Sequence, residues 1–139
     1  MPVHLQCDDM VLTEEEIVAL WQQAITFFRH ADEEISVRCV SQEKIRSLNA
    51  IYRLEDRPTN VLTFSYGDGI HDIALCMEVA SREAEQRAAS LRDYTALLLV
   101  HAFLHALGLD HERSAEEAEK TAQAQRDILH RAGFSAGNL

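Results

Sequence analysis

The sequence predicts an α+β fold: a small mixed β-sheet of about four strands, with about five helices packed around a central helix that carries histidines. Three observations predict it. Apolar residues recur with a period of two or of about 3.6, in the order β-α-β-α, then β-β, then α-α-α. Two boxes of the Ser/Thr-x-x-Glu kind, at Thr13 and Ser114, mark helix starts. One helical stretch, roughly Asp93–Leu107, is apolar on nearly every face, as a helix running through the middle of a core must be.

Taken in order, Val3–Cys7 reads as a short first strand. Thr13 then caps a helix, its hydroxyl accepting from the amide of Glu16 while the Glu16 carboxylate reaches back. Behind the cap Ile17, Leu20, Trp21, Ala24, Ile25 and Phe28 share one helical face, with an end expected near His30. Ile35, Val37 and Cys39 alternate with Ser36 and Arg38, the pattern of a half-buried strand. Ser41 caps a second helix carrying Ile45, Leu48 and Ile51, and Pro58 sets its latest end near Arg57. Val61–Tyr66 and Asp72–Cys76 are β-prone runs joined by Gly67-Asp68-Gly69, a turn signal. Helices follow at roughly Glu78–Ala88 and Asp93–Leu107, and a polar one opened by Ser114 stops at Gly133.

The chain has 139 residues, the size of one domain, expected to span 1–139. Lys and Arg number 13 against 23 Asp and Glu, a net charge of −10 that repels polyanions at long range. A protein that coats nucleic acid is thereby disfavoured and DNA is not an expected partner, although a local basic groove remains compatible. No basic region precedes Arg29, so a secretory signal is not expected. The most apolar stretch, Thr95–Leu109, contains two histidines and falls short of the ~20 residues a membrane span needs. A cytoplasmic protein without a membrane partner is the expectation. Cys7, Cys39 and Cys76 are odd in number and widely spaced, and read as buried reduced thiols rather than as a disulfide framework.

Chemistry concentrates at His101-Ala-Phe-Leu-His105-Ala-Leu-Gly108-Leu-Asp-His111. His101 and His105, four apart on a helix, project from one face about a turn from each other. Gly108 suits the left-handed residue that ends a helix, after which the chain can bring His111 back to the same point. Three imidazoles around an open position suit a catalytic zinc, although imidazole also suits nickel, copper or iron. Asp110 and Glu112 flank the third histidine and are placed to orient it. The spacing matches the metzincin peptidase pattern HExxHxxGxxH, but Ala102 stands where the general base would be, so ordinary zinc-peptidase chemistry is not expected.

With these residues in view, the chain resembles the YbeY family of bacterial endoribonucleases and rRNA maturation factors. The family signature H-G-x-L-H-L-x-G-[YF]-D-H appears as HAFLHALGLDH, His101 to His111. The pattern LNxxYRxxxxPTDVLSF appears as LNAIYRLEDRPTNVLTF, Leu48 to Phe64, with the same spacing. A third block reads HDIALCMEVASREA, His71 to Ala84. The departures are Ala102 for glycine, Ala106 for leucine, Leu109 for an aromatic, Thr63 for serine, Asn60 for aspartate and His71 for glycine. Asn60 loses a charge, and His71 is either a bystander or an extra polar group near the site.

The resemblance implies that His101, His105 and His111 bind one Zn2+ per chain, and that Arg53 and His101 are catalytic. It also implies cleavage of single-stranded RNA in maturation of the 16S rRNA 3′ end and in ribosome quality control. An rRNA precursor and the small ribosomal subunit with its proteins would be the partners. The residues support Arg53 independently. Between Arg38 and Arg57 lie Arg38, Lys44, Arg46, Arg53 and Arg57 against Glu43, Glu55 and Asp56, a cationic segment in an acidic chain. A guanidinium suits bidentate phosphate binding. Two rival expectations stand: a metal-stabilised ribosome-assembly factor that binds RNA and cuts nothing, and a zinc hydrolase of another substrate with Glu112 or Asp72 as base.

Overall fold

The computed structural model describes residues 3–28, 33–109 and 112–135. Within them run β1 (Val3–Gln6), α1 (Glu14–Phe28), β2 (Glu34–Cys39), α2 (Gln42–Tyr52), β3 (Val61–Ser65), β4 (Ile70–Leu75), α3 (Met77–Gln86), α4 (Leu91–Ala106) and α5 (Ala115–Arg131). The sheet order is β1-β2-β4-β3, with β1, β2 and β4 parallel and β3 antiparallel to β4. This is the predicted mixed α+β arrangement. The first helix's expected end near His30 lies outside the described residues.

The caps form as the sequence suggests. The Glu16 amide donates to Thr13 Oγ1 (3.1 Å) while the Thr13 amide donates to Glu16 Oε1 (2.9 Å). Ser41 and Ser114 accept from the amides of Lys44 and Glu117. Ser90, which the sequence reading passed over, does the same for Asp93 and starts α4 two residues early. In the β3–β4 turn Gly67, Asp68 and Gly69 all take positive φ. That turn hands β4 over at Ile70, two residues before the expected start.

Two layers of apolar side chains cover the sheet. On one face, Ile35, Val37, Ile73 and Leu75 meet α1 and α4 around Trp21, whose ring stands edge-on to Phe103 at 5.1 Å. On the other, Leu62, Ala74 and Cys76 meet Ile45 of α2 and Val79 of α3. Thr95, Leu99, Val100, Phe103 and Leu104 of α4 are all buried, so this helix runs through the core as its apolar composition requires.

Helix α2 ends at Tyr52, inside the limit set by Pro58, because Asn49 captures the chain beyond it. The Asn49 carbonyl accepts from the amides of Arg53 and Glu55, and its Nδ2 donates to the carbonyl of Arg57 (2.9 Å). Leu54 takes φ 59° as the chain turns away. One expectation needs correction: Cys7 and Cys39 are not reduced thiols but are joined in a disulfide, leaving Cys76 as a buried free thiol. The parallel register pairs Gln6 with Arg38, so the next residues along, Cys7 and Cys39, come side by side.

Candidate functional site

His101 and His105 sit on the last turns of α4, His101 half-buried and His105 exposed, while Ala102 between them faces the core. The helix closes in a Schellman motif: the Leu109 amide donates to the Leu104 carbonyl and the Gly108 amide to the His105 carbonyl, each at 3.0 Å. Gly108 takes φ 108°, a conformation in which a Cβ is strained, so the glycine expected to end the helix does so. Asp110 and His111 lie outside the described residues. Glu112, just past them, borders the same cleft as His101 and His105.

That cleft, about 660 Å³, runs along the open edge of β3 from Thr59 to Tyr66. Its far wall is the end of α2, where Tyr52 and Arg53 stand. The Arg53 backbone caps α2 by donating to the Asn49 carbonyl, which leaves its exposed guanidinium beyond the helix end. Asn49 thus positions the loop that carries Arg53. Arg46 is engaged by Asp56 (2.8 Å) and Arg57 by Glu55 (3.1 Å). Arg38, Lys44 and Arg53 have no ion pair among the described residues. Of the cationic segment, these three remain to act on an anion.

Two departures from the family pattern find explanations. Asn60 Nδ2 donates to Glu83 Oε1 (2.9 Å), which also accepts from the Tyr94 hydroxyl (2.7 Å). Burial first, and the hydrogen bond to Glu83 second, push the Tyr94 phenol up to about 12. His71 is a buried bystander: its Nδ1 meets Ser65 Oγ (2.8 Å), its Nε2 meets Glu33 (3.1 Å), and its ring stands edge-on to Trp21.

The donor chemistry at His101 fits a metal. His101 Nδ1 lies 2.5 Å from Gln125 Oε1 on α5, and a ring that donates its Nδ1 proton to that amide oxygen would present the Nε2 lone pair to a metal. Gln125 was not among the residues singled out by sequence, since it sits in a polar helix 24 positions away with no local signal. Another group with metal-ligating atoms, Cys7, Asp9 and Cys39, gathers within 4.8 Å, but both of its sulfurs are spent in the disulfide.

A four-stranded mixed sheet and a core helix ending in two histidines define an α+β protein in which His101, His105 and Arg53 line one open cleft. The chain belongs to the YbeY family, whose model, described as Endoribonuclease YbeY, matches residues 3–133. Relatives named Endoribonuclease YbeY include one from Burkholderia lata, 41% identical over 128 residues (88% of this chain and 73% of the relative). Another, from Paracidovorax citrulli, is 42% identical over 117 residues (80% and 77%). A Thermotoga maritima protein solved in solution shares the fold, with TM-score 0.64, 21% identity and 99% of each chain covered.

Proposed function

We propose that residues 1–139 act as one metal-dependent endoribonuclease domain that cleaves single-stranded RNA, in maturation of the 16S rRNA 3′ end and in ribosome quality control in the cytoplasm. The observation that carries this reading is the sharing of one cleft by His101, His105 and Arg53, in a chain whose relatives are named as endoribonucleases. His101, His105 and His111 would hold one Zn2+, which when bound supplies a Lewis acid beside the substrate. Gln125 fixes the ring of His101 and the position of its proton. Arg53 binds the non-bridging oxygens of the scissile phosphate and neutralises the charge that grows on them. Ala102, buried and without a proton-accepting atom, contributes no base. The nucleophile is either water or the substrate's own 2′-hydroxyl. Product ends decide between them, a 2′,3′-cyclic phosphate marking the second.

The test is cleavage of a single-stranded 16S precursor by purified zinc-loaded protein, beside Arg53→Ala and His105→Ala. Both variants should retain RNA binding within an order of magnitude and lose cleavage by about a hundredfold or more, the scale of one lost transition-state contact. Elemental analysis should find one zinc per chain, lost in a His101/His105 double variant. Protein that holds zinc and binds precursor but never cuts it would make this an assembly factor.

A further inference from the structure

Large side chains with apolar surface stand exposed where α2 and the β3–β4 turn meet: Tyr52 and Tyr66 are each 63% exposed. These two residues border two hollows at once. On one side lies the cleft of His101 and Arg53, and on the other a hollow of about 180 Å³ lined by Arg38, Lys44, Phe64 and Asp72. The Tyr52 ring is held edge-on to Phe64, with centroids 4.9 Å apart. Tyr66 and Asp72 line this hollow together, and the neighbouring Asp72 carboxylate first, with burial second, raises the Tyr66 phenol above its ordinary 10. Arg38 and Tyr52 line the same hollow, and Arg38 acts on that phenol in the opposite sense.

The chemistry of this hollow selects one kind of occupant. Aromatic faces open to water beside unneutralised Arg and Lys are what single-stranded nucleic acid requires, a π surface for the base and cations for the backbone. Arg38 and Lys44 have no ion pair among the described residues, and they lie in this second hollow while Arg53 lies in the first. Asp72 excludes phosphate from its own end of the hollow and offers an acceptor to a base N–H. A lipid tail would meet two cations and a carboxylate, which hydrocarbon cannot satisfy.

We propose that Tyr52, Phe64 and Tyr66, with Arg38, Lys44 and Asp72, form a nucleotide subsite flanking the cleavage centre. One unpaired base stacks on the tyrosines, its N–H edge toward Asp72 and its phosphate toward Arg38 and Lys44. The proposal rests on the ribonuclease reading and extends it, giving the enzyme a grip on a nucleotide away from the scissile bond. That grip requires the flanking base to be unstacked, which selects single strands over duplex.

The experiment uses zinc-loaded full-length protein and a fluorescent single-stranded octaribonucleotide, 2′-O-methylated and checked intact afterwards. Binding is read by anisotropy. Tyr52→Ala and Tyr66→Ala should each weaken binding about tenfold or more, the scale of one base–aromatic stack, while Tyr52→Phe and Tyr66→Phe stay near wild type. Walking an abasic position along the oligonucleotide should reveal one position where wild type loses affinity and the Tyr52→Ala Tyr66→Ala double variant loses none. The subsite is overturned if the alanine variants bind like wild type with an unchanged abasic profile, or if wild type shows no abasic-sensitive position. Cleavage of precursor that still depends on Arg53 would in that case leave the ribonuclease reading intact. Tyrosine-dependent binding without cleavage of unmodified RNA supports the subsite and removes the enzyme. Absence of any RNA binding by wild type overturns both.

Discussion

Asn60 shows how one residue can be legible as a departure and opaque in its cause. The amide donates to Glu83, which already accepts from Tyr94, so an aspartate here would set two carboxylates within hydrogen-bond distance in a partly buried pocket. Asn60→Asp should therefore destabilise the protein by about 1–3 kcal/mol at pH 7, as a buried acceptor losing its donor does. The loss should shrink near pH 4 as the pair takes up a proton, and Glu83→Gln in the same chain should restore the melting temperature. Thermal melts of the single and double variants at both pH values check this. Gln125 poses the same problem in the candidate site. The histidines announce themselves by spacing, whereas the residue that meets the His101 ring comes from another helix with no periodic signal. Gln125→Leu should lower zinc affinity about 10- to 100-fold, the usual cost of losing a partner behind a metal ligand, measured by competition with a chelating dye. Arg53 falls between these cases. Its motif and charge context marked it, but the helix end that presents it follows from hydrogen bonds at Asn49 that no periodicity encodes.

Among elements, starts were easier to read than ends or pairings. A cap is a local chemical statement within four residues, so Thr13 and Ser114 could be recognised directly. The Cys7–Cys39 bond depends instead on which strands become neighbours, and the sequence separation of 32 hides a parallel pairing. Alkylation of unreduced, denatured protein should label one cysteine, Cys76, and labelling of three would show the bond absent. By the chain-entropy account, a bond closing a loop of this length stabilises by about 3–4 kcal/mol, so reduction should lower the denaturation midpoint accordingly. The contact between α1 and α4 makes a different prediction. Arg92 bonds both carboxylate oxygens of Glu16 and lies over the Phe134 ring at 4.9 Å, tying the starts of two helices to the chain beyond α5. Arg92 first, and the Thr13 amide second, hold the Glu16 carboxyl at about 2, below its ordinary 4.5. A lowered carboxylate stabilises the fold above its unfolded pKa and ceases to do so as pH falls through the folded one. The stability difference between wild type and Arg92→Ala should thus be constant above about pH 5 and shrink between about 4.5 and 2 to the part owed to the Phe134 contact, as acid titrations followed by circular dichroism would show.

At the scale of the whole molecule, the α+β class was readable because each element carries its own period and α4 is apolar all round. The cleft itself was not, because it is assembled from the end of α2, the edge of β3 and the end of α4, which only the sheet order β1-β2-β4-β3 brings together. Charge follows the same division. A net −10 foretold repulsion of polyanions, yet ion pairing silences Arg46 and Arg57 and leaves Arg38, Lys44 and Arg53 on the two hollows that meet at Tyr52 and Tyr66. An RNA strand held by these three cations should release about three counterions' worth of charge. The logarithm of its affinity should then fall with the logarithm of salt concentration at a slope of roughly −2, taking about 0.7 per single-strand phosphate contact. Lys44→Gln should make that slope shallower by about 0.7, whereas Arg46→Gln, which removes a cation already committed to Asp56, should leave it unchanged. Anisotropy titrations from 50 to 200 mM salt, over which that slope gives roughly a 15-fold change in affinity, would resolve the two variants. Equal shifts in both would mean that the acidic surface as a whole, and not a local groove, governs RNA binding.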